Sequence, residues 1–477
     1  MGNALILKEI RNHLLSFRFL AVFILLLVIV PATVMILTND TVRKQDEFSR
    51  RRADIENYLG QYAHFNRLGG IIAPSPQPLP LQALVLGLSA VPQLDTFDND
   101  PLPVLFPLID LTFILGILMS LAALIFSYDA ISGEKEDGTL KLMLANGVPR
   151  ARVILAKIIG GAVTLWVPFL IALAAGLVVL LLHPRIAWGA ADWGALGLIL
   201  AGGFVYLLLF FGLGLLVSSR HASSASSILT CLFLWVVFVL VVPNLSPYVA
   251  SLIRPAPSII EVGRRIDRMI DTERDDLGRT LSRERMDAVV KSNPVLAGVD
   301  RMTEPEVKAE IARNAEFARA YELFRKANEA AWRDANDIQE AKVKVIRDDL
   351  SRKENAQARL SAALSMASPL AAFTYFSADL THSGVRNRAH FETIAAAFWD
   401  AYENYAGPKM EALRKADPTM DVWNTAVDVR DMPRFVYREE PLAGRIKSVL
   451  APLLILCGMA LVVFLGAVLS FNWTDVR

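Results

Sequence analysis

Six apolar runs, residues 17–37, 108–128, 158–182, 194–217, 226–242 and 448–471, dominate this sequence and hold almost no ionisable side chains. A helix needs about 20 apolar residues to cross the hydrocarbon of a bilayer. The chain is therefore expected to be an all-α polytopic membrane protein with six transmembrane helices. The 49 Lys+Arg and 48 Asp+Glu fall almost entirely between the runs, at a density that suits water-exposed helical domains. A formal net charge of +1 leaves no long-range basic field for nucleic acid. Cys231 and Cys457 both lie inside apolar runs, so the polar regions have neither a disulfide framework nor a Cys-based zinc site.

Lys8, Arg11 and Arg18 come before or at the start of the first run. That run is longer than a signal-peptide core and no small-x-small cleavage site follows it, so it reads as a retained span. Short segments on one side of the six spans carry Lys8, Arg11, Lys135, Lys141, Arg150, Arg152, Lys157 and Arg220, whereas the short segment 183–192 on the other carries only Arg185. The asymmetry predicts a cytoplasmic (inner) membrane protein with both termini, including the tail 472–477, in the cytoplasm. The long connections 38–107 and 243–447 then face outward.

Within the first connection, 41–68 is charged and compatible with a helix, while 69–107 carries Pro74, Pro76, Pro78, Pro80, Pro92, Pro101, Pro103 and Pro107. Proline at that density predicts extended, irregular chain packed on another element. The second connection, 243–447, is domain-sized and reads as a mainly helical extracytoplasmic domain. Helical spacing marks 258–290 and 391–413, and between Pro305 and Pro369 there is neither Gly nor Pro. Unbroken, that stretch would extend about 95 Å, so a hairpin or two to three shorter helices is expected.

The sequence contains no G-x-x-x-x-G-K-[ST], so this chain has no P-loop for nucleotide phosphates. Inside the spans only Arg18 and Asp110 are ionisable, each near a predicted end, with Asp110 read as a snorkelling end residue. That argues against a proton-coupled carrier or an intramembrane protease. Asp379, His382, His390 and Glu392 could be grouped as a metal site, but their spacing is unspecific and they read as solvated or structural. Small residues at Gly194, Gly197, Ala201, Gly202 and Gly203 would permit close helix approach, either to a neighbouring chain or within this one.

The connection 129–157 is more informative. It runs Asp129, then Gly133-Glu134-Lys135-Glu136, Gly138-Thr139-Leu140, Met143, Leu144, Asn146-Gly147, Pro149-Arg150 and Lys157. The pattern predicts an acidic turn and a short helix over 139–145 with Leu140, Met143 and Leu144 on one stripe. Asn146-Gly147 would end that helix and Pro149 begin the next. A short amphipathic helix at a membrane face either lies on lipid or docks into a protein groove, and the flanking carboxylates favour the groove. In 1–17, Leu7, Ile10, Leu14 and Phe17 share one face opposite Lys8, Arg11 and Asn12, as an interfacial helix on membrane lipid requires.

The loop motif, with Lys8-Glu9-Ile10-Arg11 and Ser16-Phe17-Arg18-Phe19 near the start, resembles the signature of ABC-2-type permeases, the membrane subunits of type V ABC exporters. The resemblance covers the membrane part and not the external insert. It implies a permease core paired with a second permease, identical or related. It also implies an elbow helix corresponding to Leu7, Ile10, Leu14 and Phe17, and a coupling interface for a separate ABC ATP-binding subunit. That interface would correspond to Glu134, Glu136, Gly138, Thr139, Leu140, Met143, Pro149 and Arg150. ATP and Mg would belong to the partner, and this chain would carry no cofactor, metal or catalytic residue. The insert departs from compact members of the family and leaves the substrate open. A domain of that size either engages an extracytoplasmic protein partner or shapes an exit vestibule. Export and transmission of ATP-driven motion to an outer partner are both compatible with the sequence.

Overall fold

The protein is described here from a computed structural model covering residues 2–60, 62–87, 109–145, 148–416 and 422–473. The expectations on Pro92, Pro101, Pro103, Pro107 and Asn146-Gly147 fall outside the described residues. Among the described residues, six helices are long and apolar enough to cross a membrane.

The first helix, α1 (Gly2–Leu14), stops at a serine hinge. Ser16 Oγ donates to the His13 carbonyl (2.6 Å) and accepts from the Phe19 N–H (3.2 Å). It thus serves the orphan groups of both helix ends. Next comes α2 (Phe17–Gly60), one helix of 44 residues with Pro31 inside it. Composition separates an apolar span from a charged segment near residue 38, but the backbone ladder does not, and Asp40 braces the polar half through Arg43 (2.9 Å) and Lys44 (2.7 Å). These are i,i+3 and i,i+4 pairs of the kind that support a helix in water. A two-residue strand β1 (Tyr62–Ala63) and α3 (Phe65–Ile71) follow. The proline-rich chain then runs extended to a 3₁₀ turn, Pro80–Ala83, with Leu81, Ala83, Leu84 and Val85 buried.

The second span enters on Asp110, whose carboxylate accepts from the N–H groups of Phe113 (2.7 Å) and Leu86 (3.1 Å). Asp110 is thus a buried N-cap and not the snorkelling residue its position suggested. A π-helical turn, Ile114–Met119, leads into α4 (Ser120–Ser127). Tyr206 donates to the Gly116 carbonyl within that turn (2.7 Å). After α4 come α5 (Ser132–Glu136), α6 (Thr139–Ala145), the third span α7 (Arg150–Leu181) and the fourth span α8 (Ala190–Arg220). The fifth span starts as α9 (Ser224–Trp235) and passes through a second π-helical turn, Val236–Val241, into α10 (Val242–Ile253).

Residues Asn244–Leu364 form a compact unit of their own. It contains α11 (Ile259–Arg268), α12 (Arg274–Ser292), α13 (Glu304–Arg313) and α14 (Ala315–Ser365). Of the alternatives expected over 305–369, the structure has two helices, α13 and α14, but divides the stretch unequally: α14 is a single helix of 51 residues. The break between them is at Asn314, whose side-chain oxygen accepts from the N–H groups of Glu316 and Phe317 and starts α14 afresh. Surface pairs such as Arg325 with Glu329 (2.7 Å) and Lys353 with Asp349 (2.7 Å) then support an uninterrupted helix in water. Gly278 of α12 lies against the Trp332 ring of α14, and Ser282 meets Asn328 (2.5 Å).

The chain rejoins the membrane unit as α15 (Pro369–Leu380), α16 (Val385–Ala416), β2 (Val427–Asp428) and the sixth span α17 (Leu442–Asn472). The sequence treats 243–447 as one insert, whereas the structure divides it and makes α15 part of the membrane core. Phe373 and Phe376 are fully buried there, with Phe373 stacked on Tyr206 (5.2 Å) and Phe376 against Gly202. Gly203 faces Leu115 and Gly194 faces Leu442. The small-residue stripe therefore serves packing within the chain at these positions. A second apolar cluster joins the far end of α2, α3 and α16 through Leu59, Phe65, Leu68, Ile72, Phe398 and Met432. β1 and β2 pair beside it, with Tyr62 opposite Asp428 and Ala63 opposite Val427.

Candidate functional site

The connection between the second and third spans is held by charge and hydroxyl contacts from four other elements. Ser218, near the end of α8, accepts at Oγ from the N–H groups of Ile131 (3.0 Å) and Ser132 (2.9 Å). This satisfies two of the donors that open α5. Lys135 donates to the carbonyls of Ser219 (2.6 Å) and His221 (3.2 Å), where the C-terminal end of α8 offers partial negative charge. Glu136 accepts from the N–H (3.0 Å) and hydroxyl (2.7 Å) of Ser224 at the first turn of α9, where a carboxylate is favoured. Gly138, between α5 and α6, has φ +69, a left-handed conformation suited to glycine.

A buried charge cluster lies beneath this connection. Lys157 Nζ sits 2.9 Å from Glu134 Oε1 and 3.1 Å from Glu9 Oε1, with only 3% of its side chain exposed. Lys8 approaches Glu134 at 4.0 Å. One ammonium thus ties α1, α5 and α7 together. Such a cluster is costly to desolvate and is retained where it fixes relative position. Arg18 adds a second tie, pairing with Asp129 (2.8 Å) and donating to the Tyr128 hydroxyl (2.9 Å). Arg150 donates to the carbonyls of Phe471 (2.8 Å) and Asn472 (2.7 Å), closing the end of α17 against the start of α7.

The short helix α6 spans the residues its pattern predicted, but its apolar stripe faces inward. Leu140 is 1% exposed, and Met143 and Leu144 pack on the same core. The outward edge consists of Thr139, Lys141 and Leu142, with Leu142 67% exposed. Glu136 and Pro149 are also exposed and flank that edge. Leu142 was missed in the sequence because it lies off the main apolar stripe. Glu9 stood within Lys8-Glu9-Ile10-Arg11 but was given no role of its own, and Ser218 was missed because nothing local singles it out. On α1, Leu7 and Leu14 are exposed and Ile10 is half-buried, while Glu9 turns inward to Lys157; Phe17, expected on the same helix, is exposed but opens α2 beyond the Ser16 hinge. Gly160 of α7 allows this approach, since a β-carbon there would lie 2.8 Å from Glu9 Cβ.

Three of the four residues considered for a metal have other partners. His390 Nε2 meets the Arg438 carbonyl (3.0 Å), Glu392 pairs with Arg388 (3.0 Å) and His382 Nδ1 meets Asn387 (3.3 Å). Burial pushes the Asp379 carboxyl up to about 6 and His382 down to about 4. Among the described residues, no three His, Cys, Asp or Glu side chains come together as a metal site.

The family described as ABC-2 family transporter protein matches residues 3–476. Over 131 residues the chain is 36% identical to the probable ABC transporter permease protein NosY of Pseudomonas aeruginosa, covering 27% of this chain and 47% of that protein. Over 125 residues it is 33% identical to the protein of the same name from Stutzerimonas stutzeri, covering 26% and 45%. The chain spans about half the length of these curated relatives.

Proposed function

The chain belongs to the ABC-2 family of transporter proteins, and from that premise we propose that it is the permease subunit of an ABC exporter in the cytoplasmic membrane. A separate subunit binds and hydrolyses ATP with Mg, and a second permease, identical or related, completes the pathway. Both termini lie in the cytoplasm, in keeping with the Lys and Arg asymmetry of the short connections. The observation that carries the reading is the clamp around α6. Its outward edge at Leu142 is exposed to solvent, while its base is fastened through Glu134 and Lys157 to α1 and the third span. A push on that edge is therefore delivered to span ends and is not absorbed in a loop.

The 51-residue α14 favours a second reading, in which the complex passes ATP-driven motion to an extracytoplasmic protein partner and moves no substrate. One experiment addresses coupling in both readings. A candidate ABC ATP-binding subunit is co-expressed with this chain, and its copurification and ATPase rate are compared for wild type and Leu142→Glu. Loss of association in the variant is expected. Unchanged association and ATPase rate would sink the coupling assignment. Transport and transmission then separate by substrate efflux from liposomes, which only the first reading predicts.

A further inference from the structure

The membrane unit carries a cleft well away from the α6 clamp. Its wall is the polar half of α2, with Phe48, Arg51, Arg52 and Glu56, and its floor is the buried cluster of Leu59, Ile72, Phe398 and Met432. Two stretches outside helices and strands, 73–77 and 433–437, complete the lining. A second, wider opening continues from it along Phe48, Arg52, Glu56 and Gln77 toward Arg185.

Three properties point to one kind of occupant. First, the charge is one-sided: Arg51, Arg52 and Arg434 face a single lining acid, Glu56. Glu56 is already taken by Arg434 at 3.2 Å, and neither Arg51 nor Arg52 has an ion-pair or hydrogen-bond partner among the described residues. Second, the backbone groups of 434–437 and of 73–77, where Pro74 and Pro76 carry no N–H, make no hydrogen bond to any described residue. A stretch with free backbone groups, 434–437 above all, is a ready edge for a further strand. Third, the floor is apolar and fixed by aromatic contacts, with Phe398 edge-on to Phe435 at 5.6 Å. It offers alternate side chains of an extended segment a place to be buried. A free phosphate or carboxylate would use the arginines and leave the edge and the floor empty.

We infer that this cleft receives an extended acidic peptide segment of a partner protein, its carboxylates on Arg51 and Arg52 and its backbone paired along 434–437. The orientation proposed above places that partner outside the cytoplasm, but the binding itself needs neither that orientation nor an ATP-binding subunit. A failure here is therefore distinguishable from a failure of the permease reading.

The test uses the full chain in nanodiscs and a fluorescein-labelled octapeptide of alternating Glu and Val, read by anisotropy. Saturable binding is expected, at least tenfold weaker for the matching Gln-Val peptide and at least tenfold weaker for Arg51→Ala/Arg52→Ala. Both arginines are exposed, so the variant is expected to keep the wild-type gel-filtration profile and melting temperature. Methylating alternate peptide nitrogens is expected to abolish binding on one edge while leaving the charge intact. Equal affinity for the double variant, or for both N-methylated registers, would overturn the proposal. So would complete competition by inorganic phosphate at matched ionic strength, which would reduce the cleft to an anion site.

Discussion

Lys157 reaches Glu134 at 2.9 Å from a position almost sealed from solvent, so the loop that bears α6 is fastened to the third span by a charge that cannot be swapped for water. Removing one member of a buried, hydrogen-bonded pair typically costs about 3–5 kcal/mol because the remaining charge stays buried. Lys157→Met is expected to lower the melting temperature clearly. The triple change with Glu9→Gln and Glu134→Gln should recover much of the loss, since no carboxylate is then stranded. A triple variant as unstable as the single one would show that the cluster does not act through charge.

The two leucines of α6 separate folding from docking. Leu140→Lys places a charge at a buried position and is expected to destabilise the loop, seen as rapid proteolysis between α5 and α7. Leu142→Lys should leave proteolysis unchanged and weaken association of the proposed ATP-binding subunit by tenfold or more in a pull-down titration. Equal effects of the two on both readouts would contradict the assigned faces.

Asp379 and His382 should give stability trends of opposite sign in acid. The Asp379 carboxyl is raised to about 6 from 3.8. The folded state therefore holds its proton more tightly, and that contribution is present at low pH and lost as pH rises through about 6. His382 is lowered to about 4 from 6.5, so its contribution is present above 6.5 and lost as pH falls through about 4. The wild-type melting temperature should change little between these limits. Asp379→Asn should melt progressively lower on acidification, and His382→Asn progressively higher. Asparagine is chosen because it tolerates the φ of +57 at that position. Parallel profiles for the two variants would refute the assignment.

Gly202 is expected to be sensitive and Gly197 tolerant, although both lie in the same small-residue stripe of α8. A β-carbon at Gly202 would run into the Phe376 ring of α15, while at Gly197 nothing lies within 4 Å. Gly202→Ala should cost about 1–3 kcal/mol by overpacking. Gly197→Ala should be neutral or slightly stabilising, since alanine is the better helix former. Thermal unfolding of the two variants in the same detergent makes the comparison.

The spans were readable because hydrocarbon imposes a length and a polarity on any helix that crosses it, and α6 was readable because its breaker residues stand on either side. What escaped the sequence depends on tertiary partners. Leu140 and Leu142 look equally apolar, and only the packing of α6 on the span ends says which one faces out. The segment that becomes α15 is no longer than an ordinary amphipathic helix, and its burial follows from glycines and aromatics more than 150 residues earlier in the chain, at Gly202 and Tyr206. The arginine cleft likewise joins residues near 50 with residues near 434.

The unbroken course of α2 makes it a mechanical arm. Arg52 follows Leu37 by fifteen residues, about 22 Å along the axis. A tilt of about 10° in the apolar half would swing the arginine wall by roughly 4 Å, more than the length of a hydrogen bond. A peptide held in the cleft would resist that swing, and the swing would in turn loosen the peptide. By linkage, whatever sets the angle of the first span and whatever fills the cleft must bias one another equally.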